Sequence, residues 1–251
     1  ASCIENGEPL DTVELCRVAQ SKFLPAGLLE QPSFQIEMEK AERLADAVGR
    51  PQRHVAYLEG RFGSVTLSGE SSTRAGRGDQ LIVEAGELKA KRVLAAWIRH
   101  LFASALDPAF TGETSVLSLH DKGGHLRFGA VESPKEHLTD LLSLFIAGQT
   151  QPSPFFPALS EAACKAWVET EGEEDSVRIA ATLEKARREA QRSREDSGYA
   201  KSYEWSDYDR ICFGDGYTPD EAFLECALTV WEPCMAAKGT LSLERLKGAE
   251  A

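Results

Sequence analysis

Apolar and polar positions along the chain recur with two different periods, and the change of period separates its elements. Residues 11–23 and 34–47 carry apolar side chains at helical spacing, and the second stretch stops at Gly49-Arg50-Pro51. From 54 to 84 the period shortens to two, and three short apolar runs separated by turn residues predict three strands. The chain is therefore expected to begin helical and to continue as β-structure.

A long amphipathic helix is predicted after Gly86, and a β-hairpin after that helix. The segment ELKAKRVLAAWIRHLFASAL presents a broad apolar face, and two apolar runs flank Asp121-Lys122-Gly123-Gly124, which is typical of a tight turn. Ser133-Pro134 then begins another helix. Residues 54–148 are thus predicted to run β-β-β-α-β-β-α, and helices are predicted again from Ser160 onward, including a charged helix at 183–196.

The fold class that follows from this order is α+β, with a mixed β-sheet flanked by helices. We expect a helical lead-in at 1–52 that packs on an α/β core at 53–150. A proline-rich connection at 152–157 leads into residues 151–251, which we expect to be a mainly helical extension of the same domain.

The charge balance argues against some classes of function. Forty acidic and 28 basic side chains give a formal net charge of -12, which argues against a free-standing nucleic-acid binder. No apolar run approaches the roughly 18 residues of a membrane span, and no signal-peptide pattern is present, so a cytoplasmic protein is expected. A chain that starts at Ala1 without an initiator Met is expected to be a processed product or a piece of a longer protein.

Cysteine and histidine spacing indicates neither a metal site nor a disulfide framework. The six cysteines contain no C-x-x-C pair, and the five histidines show no helical ligand spacing. We therefore expect buried, reduced thiols, no metal and no cofactor.

The order of three strands, a helix and a strand pair resembles the core of the PD-(D/E)XK nucleases. In that core an Asp on one strand and a D/E-x-K motif on the next converge to hold Mg²⁺ and to activate water. Ser72 stands near where the first acid is expected, Glu84 supplies one carboxylate, and Gly86 occupies the lysine position. The resemblance therefore implies a vestigial site at these three positions.

A literal copy of the motif lies slightly later in the chain, where Asp79 precedes Glu87-Leu88-Lys89. An active Mg²⁺-dependent nuclease that uses Asp79, Glu84, Glu87 and Lys89 is the alternative hypothesis, and it requires these side chains to converge in one cleft. Glu87 and Lys89 also fit the first turn of a helix, where residues two apart point to nearly opposite sides.

A longer stretch of the chain resembles the C-terminal part of the RecC family, the gamma subunit of exodeoxyribonuclease V. The resemblance covers roughly residues 10–235. Its motifs, in order, are Gly69, Gly86-Glu87-Leu88, Ala96-Trp97-Ile98-Arg99-His100-Leu101, His120-Asp121-Lys122-Gly123-Gly124 with Leu126-Arg127-Phe128, Leu138 to Gly148, Pro154-Phe155-Phe156-Pro157 and Trp167.

This resemblance implies a nuclease-like domain that has lost its active site and is held in the RecBCD complex, which acts in recombinational DNA repair. RecB-like helicase-nuclease and RecD-like helicase subunits are the implied partners, together with the separated DNA strands. The family's reading of a regulatory sequence belongs to a large N-terminal region that these residues do not contain. A related family with the same architecture binds an iron-sulfur cluster through closely spaced cysteines, which Cys226 and Cys234 do not provide.

Two groups of side chains are candidates for these contacts. The polar side of the helix after Gly86 offers cations to a DNA strand, or forms an ordinary solvated face: Lys89, Lys91, Arg92 and Arg99. Aromatic side chains in an acidic segment are candidates for docking on a partner subunit, or fold back on their own domain: Tyr203, Trp205 and Tyr208. A third hypothesis is an unrelated interaction module with an accidental likeness, and it predicts that the strands at 64–84 are not adjacent in one sheet.

Overall fold

A computed structural model describes residues 30–49, 52–120, 124–195 and 206–241. The elements in chain order are α1 (Glu30–Val48), β1 (Arg53–Phe62), β2 (Val65–Arg74), β3 (Gln80–Glu84), α2 (Ala90–Leu106), β4 (Thr114–Ser118), β5 (His125–Phe128), α3 (Pro134–Gly148), α4 (Pro157–Glu169), α5 (Asp175–Glu195), α6 (Asp207–Phe213), α7 (Glu221–Ala237) and β6 (Lys238–Thr240). The order predicted for 54–148 is confirmed. The helix predicted at 11–23 lies outside the described residues.

The strands form two sheets. β1 and β2 make an antiparallel hairpin with register Phe62↔Val65 to Arg53↔Arg74. The second sheet has the order β3-β4-β5-β6, in which β3 and β4 are parallel and the other pairs are antiparallel. The predicted α+β class with a mixed sheet flanked by helices is therefore confirmed.

β2 and β3 belong to different sheets, whereas the corresponding strands of the PD-(D/E)XK core are neighbours. The two strands share no ladder, and in the turn between them the Arg74 N–H donates to the Asp79 carbonyl over 2.7 Å. The hairpin packs on α2 instead. A β-carbon on Gly60 would overlap Leu106, so this glycine permits the close approach, whereas a β-carbon on Gly69 would lie in ordinary contact with the Phe102 ring at 3.5 Å.

Helices cover both faces of the four-stranded sheet. On one face, Leu44 and Val48 of α1 pack on Leu81, Val83 and Leu117. On the other face lies the largest cluster of buried residues, which includes Trp97 of α2, Leu138 of α3, Phe128 of β5 and Trp231 of α7. A buried β4 between two covered faces explains why its sequence TSVLS shows no clean alternation.

The C-terminal part of the chain contributes to this core. α7 carries Trp231, which is fully buried, and it leads directly into β6, whose Gly239 pairs with Arg127 of β5. The sequence pattern predicts a mainly helical extension here and does not indicate β6. A second cluster joins α4, α5 and α7 around Phe156 and Phe223. Among the described residues, no helix is both long enough and apolar enough to cross a bilayer.

Candidate functional site

A groove opens where β2 and β3 diverge. It has a volume of about 480 Å³ and is bounded by β2, by the start of β3 and by the exposed side of α2. Ile98 and Phe102 of α2 form its apolar floor, together with Leu67 of β2. Ser68, Gly69, Glu70, Ser72 and Arg53 line the hairpin side, and Gln80, Leu81, Ile82 and Arg99 complete the wall.

A chain of buried polar side chains lies beneath the groove and joins four elements. Thr114 of β4 donates its hydroxyl hydrogen to Gln80 Oε1 of β3 over 3.1 Å, and its oxygen lies 2.8 Å from His100 Nδ1 of α2. The Nε2 atom of Gln80 lies 3.5 Å from Ser71 Oγ of β2. All four residues are at most 6% exposed, so each needs a protein partner in place of water.

His100 is held neutral by this environment. Its ring is fully buried, stacks on Trp97 at 5.5 Å between centroids, and contacts Phe110 and Phe128. Burial lowers the pKa of His100 from 6.5 to about 4, and the backbone of Gly129 partly opposes this decrease. Because the Thr114 hydroxyl donates to Gln80, we infer that it accepts from the Nδ1–H of a neutral imidazole.

The three vestigial positions lie at two separate places. Ser72 lines the groove, where its hydroxyl accepts a hydrogen bond from Arg53 Nε. Glu84 and Gly86 lie at the far end of β3. If the Arg74–Asp79 register continued, Glu84 would be level with Gly69 rather than with Ser72. The fold therefore does not bring Ser72 and Glu84 together.

A cation from α2 occupies the space beside Gly86. A β-carbon at Gly86 would lie 2.8 Å from the guanidinium nitrogens of Arg92. Arg92 Nη1 donates to the Glu87 carbonyl over 2.8 Å, and Arg92 Nε lies 3.4 Å from Glu84 Oε2. The Ser118 hydroxyl donates to the Gly86 carbonyl over 3.0 Å. Arg92 thus provides Glu84 with a positive neighbour where the motif would have its lysine.

The carboxylates of the alternative nuclease site do not share a cleft. Asp79 is buried in a bidentate ion pair with Arg74, with Arg77 at 3.5 Å, whereas Glu84 pairs with Arg92 and Glu87 lies 4.0 Å from Lys89. Asp79 and Glu84 are separated by the length of β3, roughly 16 Å. Within the described ranges, no cluster of three or more His, Cys, Asp or Glu side chains has the arrangement of a metal site.

Three of the four basic candidates share one face of α2. Arg92 and Arg99 are two helical turns apart, Lys91 lies next to them, and all three are exposed. Arg99 reaches the groove and forms no ion pair within the described part of the chain. Lys89 precedes the helix as its N-cap residue, with a side chain that is 70% exposed.

Of the three aromatic docking candidates, Tyr208 is among the described residues. Tyr203 and Trp205 lie outside the described residues. Tyr208 is 81% exposed on α6, and Ile211, one turn later, is also 81% exposed. Ser206 caps this short helix in a capping box with Asp209.

The sequence pattern overlooked the polar chain under the groove, although it contained one signal. His100 interrupts the apolar face of α2 between Trp97 and Leu101, and a polar side chain on an apolar face needs a buried partner. Its partners Thr114 and Gln80 begin two different strands, so spacing along the chain could not identify them.

Comparison with protein families tests the hypothesis of an accidental likeness. Residues 9–169 match the family model of the RecC C-terminal domain. The chain belongs to the RecC C-terminal domain family. This family connects it with a RecC-like subunit of RecBCD, the exodeoxyribonuclease V complex, and so with RecB and RecD, with DNA and with recombinational repair. No curated protein sequence matches the chain at a significant level.

Membership in the RecC C-terminal domain family overturns the hypothesis of an accidental likeness, even though β2 and β3 lie in different sheets as that hypothesis predicted. The match ends at Glu169, the last residue of α4. The resemblance expected up to residue 235 is supported only to that point. α5, α6, α7 and β6 therefore lie beyond the matched region.

Proposed function

We propose that the chain is a non-catalytic, nuclease-like domain of a RecC-like subunit in a cytoplasmic RecBCD complex, where it docks on the partner subunits and guides separated DNA strands. The observation that carries the proposal is the dispersal of the three candidate carboxylates. Asp79, Glu84 and Glu87 each face a different cation instead of a common centre.

This dispersal argues against metal-dependent cleavage by the chain. Mg²⁺ in such sites is held by one or two carboxylates that point at the same centre, with water completing an octahedron. Asp79 is 4% exposed and forms two hydrogen bonds to Arg74, so releasing it toward a metal would leave a guanidinium buried without its counter-charge.

The exposed face of α2 supports the role in guiding DNA. Lys89, Lys91 and Arg92 lie around the N-terminal end of the helix, and Arg99 lies two turns further on. A few phosphate contacts of this kind position a strand without reading its sequence. The net charge of -12 opposes independent DNA binding, so the affinity would come from the assembled complex.

The exposed apolar side chains of α6 support the role in docking. Tyr208 and Ile211 face solvent together, whereas Phe213 of the same helix packs on Phe156 and Tyr217. An exposed aromatic side chain on a helix that is anchored from behind is typical of an interface anchor. The proposed docking residues also include Tyr203 and Trp205, which lie outside the described residues.

The proposed domain division follows the same scheme, with a lead-in at 1–52, a nuclease-like core at 53–150 and an extension at 151–251 that fold as one unit. The pairing of β6 with β5 and the burial of Trp231 beside Trp97 in one cluster support a shared core.

The test is assembly of the 251-residue chain with RecB-like and RecD-like subunits, followed by photo-crosslinking to forked DNA. The double variant Lys89→Glu/Lys91→Glu should leave assembly unchanged and reduce strand affinity by about tenfold at low salt, because two phosphate contacts become repulsive. Lys135→Glu, an exposed charge reversal in the first turn of α3, is the matched control.

Three results would count against the proposal. The first is failure of the chain to co-purify with either subunit, and the second is equal strand affinity for the double variant and for Lys135→Glu. The third is Mg²⁺- or Mn²⁺-dependent DNA cleavage by the purified chain that disappears in Glu84→Ala or Lys89→Ala. That third result would favour the active nuclease instead.

A further inference from the structure

Among the described residues, the groove contains an unpaired strand edge. There β2 pairs with β1 along one edge, and its other edge faces the groove. The N–H and C=O groups of Arg74 point away from β1, because they bond to Asp79, Arg77 and Gly78 in the following turn. Strand groups alternate in direction with a period of two, so the backbone groups of Ser72, Glu70 and Ser68 also point into the groove.

These edge groups have no partner in the part of the chain that the structure describes. The ladder with β1 uses the backbone groups of the intervening residues, such as Gly69 opposite Leu58. An unpaired edge that borders a groove with an apolar floor is a template for an added strand. The outer edge of β1 is also unpaired in the described ranges, but the groove lies on the β2 side and takes only Arg53 from β1.

The two sides of the groove specify the chemistry of that strand. Ile98, Phe102 and Arg99 lie on the α2 side, so side chains of an added strand that point inward would meet two apolar groups and one cation. Glu70 and Ser68 lie on the outer face, where neutral or basic side chains fit. Alternation of apolar or acidic residues with neutral or basic ones is therefore the matching pattern.

We propose that the β2 edge accepts an extended segment of a partner subunit, which pairs with Ser68, Glu70 and Ser72 as an additional strand. The inference rests on the proposed docking function and names its surface. A peptide backbone supplies both the donors and the acceptors that the edge requires, whereas the phosphates of a DNA strand offer acceptors only. Glu70, which lines the groove, also repels phosphate.

Hydrogen exchange resolved to single amides tests the proposal in the assembled complex. The amides of Ser68, Glu70 and Ser72 should exchange at least about tenfold more slowly in the complex than in the isolated chain. The amide of Gly69, which already belongs to the ladder with β1, should change less and serves as an internal reference.

A pair of proline variants separates the two edges of the hairpin. Ser68→Pro removes one donor from the groove edge and leaves the β1 ladder intact, since the Ser68 amide does not bond to β1. Glu59→Pro, at the residue opposite Ser68, removes the equivalent donor from the outer edge of β1. Tiled 15-residue peptides of the RecB-like and RecD-like subunits are the probes. Ser68→Pro should lower the affinity for the bound peptide about tenfold, and Glu59→Pro should leave that affinity unchanged.

Each other outcome overturns the inference. In one such outcome, the complex forms while the three amides stay unprotected and both proline variants bind the peptides equally. That result would support the docking function but exclude the β2 edge as the docking surface. Protection already present in the isolated chain would mean that a segment of the same chain covers the edge, and protection that rises with chain concentration would mean a second copy. Loss of oligo-dT binding in Ser68→Pro, with peptide binding unchanged, would assign the groove to DNA.

Discussion

The buried imidazole of His100 predicts a specific loss of stability in mild acid. The side chain is fully buried between Trp97 and Phe128, and its pKa is lowered from 6.5 to about 4. The unfolded chain therefore binds a proton at His100 more readily than the folded chain does. The contribution of the neutral ring is complete above pH 6.5, decreases as the pH falls, and is lost at about pH 4.

The magnitude follows from the size of the shift. One pKa unit corresponds to about 1.4 kcal/mol, so the decrease from 6.5 to about 4 is worth about 3 kcal/mol. No discount for solvent screening applies, because the ring is 0% exposed. A domain stable by about 5 to 15 kcal/mol would lose a large part of its stability through this single group.

His100→Phe isolates the effect, since it keeps an aromatic ring among Trp97, Phe110 and Phe128 and removes the titrating group. At pH 7.5 the variant should be less stable than the wild type by about 1 kcal/mol, because Thr114 loses a hydrogen-bond partner. As the pH falls to 4, the free-energy difference should move by about 3 kcal/mol in favour of the variant, so that the two stability curves cross.

The assay is urea unfolding followed by tryptophan fluorescence at half-unit steps from pH 7.5 to 4. His54→Gln on the exposed face of β1 is the control, and it should run parallel to the wild type throughout. Carboxylates titrate in all three proteins and cancel in the differences. A difference between His100→Phe and wild type that stays constant within about 0.5 kcal/mol over this range would refute the reasoning.

Three further predictions concern the buried ion pair, the thiols and the vestigial lysine position. Asp79→Asn should lower the unfolding free energy by about 3 kcal/mol, because it leaves Arg74 buried without a counter-charge; a loss below 1 kcal/mol in urea titrations would contradict this. Iodoacetamide should label exposed Cys212 well before Cys164, whose pKa burial raises to about 12; equal labelling rates in mass spectra would disprove it. Gly86→Lys should cost no more than about 1 kcal/mol, because the exposed end of Arg92 can move aside, and should not generate Mg²⁺-dependent cleavage in a gel assay.

The elements could be predicted from the sequence because their signals are local. Alternation with a period of two identifies β1 and β2, and the helical period of α2 assigns Lys91, Arg92 and Arg99 to one face before any contact is known. β6 could not be predicted because three residues after a helix carry too little pattern to indicate a strand. Its existence depends on pairing with β5, which is distant in sequence.

The site could not be predicted because its arrangement depends on which elements become neighbours. A vestigial site at Ser72, Glu84 and Gly86 requires β2 to run beside β3. The hairpin instead packs on α2, where Gly60 permits the close approach, and a groove opens at that boundary. Among the described residues, the same separation leaves the groove-side edge of β2 without a ladder partner, and Glu84 forms its ion pair with Arg92. If both proposals hold, the absent metal site and the strand-accepting edge follow from the same packing of the hairpin on α2, and restoring the missing side chains one at a time would reverse neither.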